Sequence, residues 1–116
     1  MRKITLESTK AFNSNQSFNK ANMRVQVYAS DRCKDSKVVE LLLHGNVIAR
    51  KYINGDFSEG ADGIELTFIT SAGWQTNTTK ERLNGLDGVS ICQKDFDWYL
   101  NGKLWDGSWT SIKVGE

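Results

Sequence analysis

From residue 23 onward, apolar and polar residues alternate with a period of two, and the alternation breaks at short glycine or asparagine signals. Met23, Val25 and Val27 alternate with Arg24, Gln26 and Tyr28. That period places every second side chain on one face of a strand, so it excludes an all-helical fold. Val38–Leu43 and Val47–Ile53 flank His44-Gly45-Asn46 and read as a hairpin. Ile64, Leu66 and Phe68 alternate with Glu65 and Thr67, giving another strand. Val89 and Ile91 open the next one, then Phe96, Trp98 and Leu100 alternate with Asp97 and Tyr99. Asn101-Gly102 is the strongest hairpin signal in the chain, and a last strand falls near Thr110–Val114. The pattern predicts an α+β fold: an antiparallel sheet of about six strands, rich in hairpins, with one or two short helices.

The helices are fewer and weaker. Thr78-Thr79-Lys80-Glu81 fits a capping box, so a helix is expected from Thr79 to about Asn84 or Leu86. Leu83 and Leu86 would form its apolar side, and Gly85 or Gly88 would end it. Residues 8–22 are polar and only weakly periodic, which predicts a short helix near Thr9–Phe12 and then loop. Ser30–Lys37 reads as a charged turn and Asn54–Gly63 as a loop.

At 116 residues the chain is one domain's worth of protein, residues 1–116, long enough to build a core without staples. Met1-Arg2-Lys3 starts like a secretion signal, but no apolar run follows, so a cytosolic protein is expected and no membrane partner. Cys33 and Cys92 then read as unrelated free thiols, Cys92 packed in a strand and Cys33 in a polar loop. The net charge of +1 conceals two opposite halves. Residues 1–51 hold ten Lys/Arg against four Asp/Glu, and residues 52–116 hold five against ten.

Most enzyme chemistries lack their residues. The single histidine, His44, has no second histidine and no CxxC partner, so no metal site and no cofactor is expected. No GxSxG elbow, phosphate-binding P-loop or dinucleotide glycine motif occurs. Asp95 and Asp97 lie two apart on a predicted strand and read as solvated carboxylates. A non-enzymatic protein is expected; an enzyme with dispersed catalytic residues, His44 or Asp95 among them, is the remote alternative.

One segment stands apart. Ala72 to Leu86 puts Trp74, Thr76, Thr78, Thr79, Lys80 and Arg82 at the entry of the predicted helix. A helix N-terminus attracts anions, so these threonines and Lys80 can hold a phosphate while Trp74 stacks on a base. That gives one reading, a small DNA- or RNA-binding module using Trp74–Asn84. Lys80 and Arg82 are about 200° apart around the axis, which argues against a single basic face. Arg82 can instead pair with a carboxylate.

The order GW-x-T-x-TTK-x-R-L-N, then Q-K-x-F-x-W-Y, then DG, covers roughly the last 50 residues. It resembles a group of small bacteriophage-encoded proteins of unassigned function. The resemblance implies a phage protein acting in the bacterial host cytoplasm. It also implies the habit of that class, which is to bind and disable a host protein or nucleoprotein complex, including CRISPR, restriction or transcription machinery. All four tryptophans lie in the last 43 residues. Trp98 shares the phase of Leu100 and is expected in the core, whereas Trp105 and Trp109 are expected at a contact surface, with Trp74 and Tyr99 beside them. A homodimer through exposed edge strands is a further expectation.

Overall fold

The computed structural model describes residues 2–29, 37–54 and 64–112. Helix α1 (Lys3–Asn13) is followed by β1 (Phe18–Lys20), β2 (Met23–Ala29), β3 (Lys37–Leu43), β4 (Asn46–Asn54) and β5 (Ile64–Ile69). Then come helix α2 (Asn77–Asn84), β6 (Ile91–Lys94), β7 (Asp97–Leu100), β8 (Lys103–Leu104) and β9 (Thr110–Ile112). Six strands form one sheet in the order β1-β2-β3-β4-β5-β9, every pairing antiparallel. The α+β expectation and the six-stranded antiparallel sheet are what the structure shows. The separate three-stranded sheet β6-β7-β8 is an addition to it.

Tight turns join most strands. His44-Gly45 and Asn101-Gly102 each have two positive φ angles, the signature of a type I′ turn matched to strand twist. Between Leu41 and Leu42 the register slips, leaving Ile48 of β4 as a bulge. The Cys33 turn and the Asn54–Gly63 loop fall largely outside the described residues, as does the end of the last strand.

One face of the large sheet is covered. Val25, Val39, Leu41, Ala49, Ile69 and Ile112 meet Phe12 of α1, Leu83 of α2, and Ile91, Trp98 and Leu100 of the small sheet in a single core. Lys51 also points inward, 2% exposed. Its ammonium donates to the Phe12 carbonyl at 2.7 Å and to Asn15 Oδ1 at 2.7 Å, and lies 4.7 Å from the centre of the Phe12 ring. It therefore satisfies the C-terminal end of α1, where a cation is favoured. Asn15 (φ 59°) closes that end: its amide reaches the Phe12 carbonyl and the Gln16 amide reaches Ala11, a Schellman arrangement.

Helix α1 is longer than the weak periodicity suggests. Its buried face carries Thr5, Ser8 and Thr9 beside Ala11 and Phe12. The Ser8 and Thr9 hydroxyls bond back to the Thr5 carbonyl of their own helix, at 3.3 and 2.6 Å, so both bury with their polar atoms satisfied. Helix α2 starts earlier than the capping-box reading. The cap is Thr76, whose hydroxyl accepts from the Thr79 amide, and not Thr78. Gly85 ends it with φ −79°, so glycine is there for contact with α1 and not for a left-handed turn. A Cβ at 85 would sit 2.7 Å from Thr9 Cγ2 and 2.8 Å from Thr9 Oγ1.

Three further sequence expectations change. Phe96 leaves the phase of Trp98 and Leu100, because it occupies a turn and is 94% exposed. Asp95 is the other central residue of that turn, so it does not share a strand face with Asp97. Cys92 is in β6 as expected, but it is exposed and free rather than packed. The charge halves do not form two lobes: β5 and β9 complete the sheet begun by β1–β4, and Arg2 pairs with Glu81 at 3.7 Å.

Replacing Gly85 by Ala is expected to destabilise the protein by about 1–3 kcal/mol through overpacking against Thr9. The double change with Thr9→Ala is expected to recover most of that loss in urea titrations; equal loss in both variants would show that Thr9 is not the obstacle. The Glu81 carboxyl is held below its ordinary 4.5, chiefly by the Thr5 hydroxyl bond, with Arg82 and Arg2 also favouring the charged form. Its contribution to stability is therefore present above the ordinary carboxylate value and lost as pH falls through the lowered one. Glu81→Gln should flatten the acid limb of the stability–pH curve.

Candidate interaction site

Two surfaces carry the residues singled out by the sequence. The first is the entry to α2. Thr70 Oγ1 and the Ser71 amide both bond to the Gly107 carbonyl, at 2.7 and 2.9 Å. The chain then reverses through Ala72 and Gly73, both at positive φ, and the Trp74 amide closes the turn on the Ser71 carbonyl. This leaves Trp74 59% exposed. Trp74, Thr76, Thr78 and Thr79 line a cleft of about 360 Å³, with His44 and Ile48 across from them.

The cations of the motif are elsewhere. Lys80 reaches sideways to Gln93 Oε1 at 3.5 Å. Arg82 is 2% exposed. Its Nη1 donates to Thr5 Oγ1 and to Glu81 Oε1, both at 2.6 Å, so it binds α2 to α1 and does not face a ligand. Thr79 is buried, and its hydroxyl lies 3.1 Å from that of Thr76. Of the five residues read as a possible phosphate or nucleic-acid site, only Thr76 and Thr78 border the cleft from an accessible position, and the Thr76 hydroxyl is engaged as the cap of α2.

The second surface is the uncovered face of the large sheet. Cross-strand pairing puts Tyr28, Val38, Tyr52 and Leu66 in one row and Gln26, Glu40, Arg50, Phe68 and Ser111 in the next. Tyr28, Tyr52 and Leu66 are 44%, 40% and 50% exposed, and Trp109 joins them at 47%. The ring of Trp109 lies under the Arg50 guanidinium, 5.2 Å from its centre, and Tyr52 meets Phe68 edge-on at 5.8 Å. Arg50, Tyr52, Phe68 and Trp109 border a shallow hollow of about 200 Å³.

Glu40 organises the centre of this face. Its carboxylate, almost fully buried, accepts from Gln26 Nε2 at 2.6 Å and from Arg50 Nε at 2.7 Å. Burial would lower Arg50, but its bonds to Glu40 and Tyr52 outweigh that and raise it. Tyr28 is raised, first by burial and then by the Glu40 charge, so its phenol stays neutral. The sequence supplied one sign of this face that is easily misread. Leu66 and Phe68 of β5 lie on the uncovered side, while Thr67 is buried beside Ile69 on the core side.

The predicted contact residues separate. Trp109 is on the open sheet face and Trp74 at the cleft. Tyr99 is half-buried on the small sheet, opposite Leu104. Trp105 is 6% exposed and belongs to the core, because its indole packs on Trp98 at 6.2 Å and donates to the Ser108 carbonyl and Thr110 Oγ1. His44 is an exposed turn residue, 3.4 Å from Asn22. Among the described residues no group of three His, Cys, Asp or Glu is placed to hold a metal ion.

The model of the Kyanoviridae Gp96 protein family matches residues 1–113. The chain belongs to that family. Membership in Gp96 makes it a phage-encoded protein, as the C-terminal motif implied. No curated protein and no solved structure matches it. Among the described residues of this Gp96 member, no helix is long and apolar enough to cross a membrane.

The two classes of tryptophan are separable by experiment. Trp105→Ala is expected to cost about 3–5 kcal/mol, whereas Trp74→Ala is expected to stay within about 0.5 kcal/mol. Iodide should quench the fluorescence of Trp74 and Trp109 but not that of Trp98 and Trp105, which single-tryptophan variants can resolve.

Proposed function

We propose that this phage protein is a non-enzymatic binding protein that docks on a host protein through the uncovered face of its large sheet and thereby modulates or inhibits that protein. The observation that carries the reading is the cluster of exposed Tyr28, Tyr52, Leu66 and Trp109 on one face of a sheet whose other face carries the core. Tyrosine, tryptophan and arginine are the residues that dominate binding energy at protein interfaces, and here they are contiguous. Arg50 is neutralised by Glu40, which among the described residues leaves Arg24 as the exposed cation of the face. That balance fits a protein partner with an apolar strip and an acidic margin better than it fits a phosphate backbone, which rewards many free cations. The host machinery addressed is a defence or takeover target, in keeping with the class of small phage proteins.

A second reading, a nucleic-acid module at the α2 entry, retains one favourable observation. Trp74 stands exposed beside the cleft bordered by Thr76 and Thr78. The internal bonds of Arg82 weigh against it.

The test is affinity capture from host lysate with the natural protein and with a Tyr52→Ser, Trp109→Ser double variant. Both rings pack on Phe68 or Arg50, so a small fall in melting temperature is expected, and a cooperative transition shows that the variant stays folded. Stoichiometric partner recovery should fall at least tenfold in the variant, which is about 1.4 kcal/mol of binding. Equal recovery by both proteins would remove the sheet face as the docking surface. Salt-sensitive retention of DNA or RNA with no protein partner would favour the second reading, and sedimentation as a dimer that the double change dissociates would make a second copy the occupant.

A further inference from the structure

Among the described residues the same two-residue reversal occurs four times. Three of the reversals place glycine at the second central position: His44-Gly45, Ala72-Gly73 and Asn101-Gly102, with glycine φ of 81°, 82° and 85°. The fourth, between β6 and β7, is Asp95-Phe96, with φ of 51° and 71°. A bulky residue with a Cβ is disfavoured in this left-handed region, where glycine is the default. Phe96 is also 94% exposed, so the strain is not offset by packing. Fold stability alone favours glycine here, as at the other three turns. An outlier of this kind points to function.

The hairpin below the tip is firmly held. Ile91, Trp98 and Leu100 are buried in the core, and the Asn84 side chain bonds both the amide and the carbonyl of Ile91, at 2.6 and 3.0 Å. Phe96 is therefore a single aromatic ring presented on a preorganised support, which reduces the ordering cost of binding. Its neighbours are charged and exposed. Asp95 and Asp97 flank it, and Lys94 stands across from Asp97, so the tip has one net negative charge.

We infer that Phe96 is a docking anchor that inserts into an apolar pocket of a protein partner whose rim carries a Lys or Arg facing Asp95 and Asp97. The inference rests on the protein-binding reading and adds to it a contact on a different element from the sheet face. The two carboxylates disfavour anionic lipid and nucleic acid as the occupant.

The experiment compares the natural protein, Phe96→Gly, and an Asp95→Asn, Asp97→Asn double variant in the same lysate capture. Phe96→Gly should melt at the same or a higher temperature and lose at least tenfold in partner recovery. The double variant should lose recovery mainly at low ionic strength, because salt screens exposed charges. Recovery by Phe96→Gly equal to that of the natural protein overturns the anchor; if the Tyr52→Ser, Trp109→Ser protein fails in the same run, the protein-binding reading survives without it. Absence of any stoichiometric protein partner of the natural chain overturns both. Binding to phosphatidylserine vesicles that Phe96→Gly abolishes would overturn the protein pocket in favour of lipid.

Discussion

The buried guanidinium of Arg82 ties together parts of the fold that are remote in sequence. It lies between the two helices and donates to Thr5 of α1 and to its own neighbour Glu81, whose carboxylate also accepts from Thr5. A charge this deep is tolerated only when paired and hydrogen-bonded, so the contact specifies one alignment of α2 on α1. Gly85 lets the helices approach closely enough to form it. From the end of α2, Asn84 fixes β6, and Asn101 bonds Ser90 and Gly88 to fix the turn before it. The place of the small sheet, and with it the direction of the Phe96 tip, follows from where α2 is held.

That arrangement puts both helices and the small sheet on one side of the large sheet. The other side keeps its own order without a covering layer among the described residues. Glu40 is shielded by the long side chains of neighbouring strands, and its bonds to Gln26 and Arg50 tie β2, β3 and β4 together across the face. Val38 and Leu42 are likewise buried there, although none of the described helices or the small sheet packs over them. The result is a rigid surface whose aromatic residues are already oriented, as interface residues are when little reordering accompanies binding. At one edge of the sheet β1 is three residues long, which limits edge-to-edge pairing there.

Much of this was legible in the sequence. The alternation in Met23–Tyr28 and the turn at Asn101-Gly102 required no tertiary information, since strand period and type I′ turns are local properties. The α2 region was recognisable from its threonines and Leu83, although the cap moved to Thr76. Helix α1 was legible only in part because its buried face is built of Thr and Ser, which hydropathy counts as polar. The site was legible in composition and not in placement. Trp109 and Trp74 are exposed, but Trp105 fills the core and Arg82 lies inside it. Tyr28, Tyr52, Phe68 and Phe96 went unnoticed as a contact set, because an aromatic in a strand pattern looks the same whichever face it occupies.

The sequence by itself determined most of the strands, the His44-Gly45 and Asn101-Gly102 turns and the second helix, though not β1 or the Asp95-Phe96 turn. These rest on neighbours within a few residues, where φ/ψ preference and side-chain period act directly. Which face of each strand is covered was decided only by tertiary structure. Leu66 and Thr67 show why: the alternation fixes that they face opposite ways, but only the helices and the small sheet, packed from distant parts of the chain, choose Thr67 for the core and leave Leu66 outside.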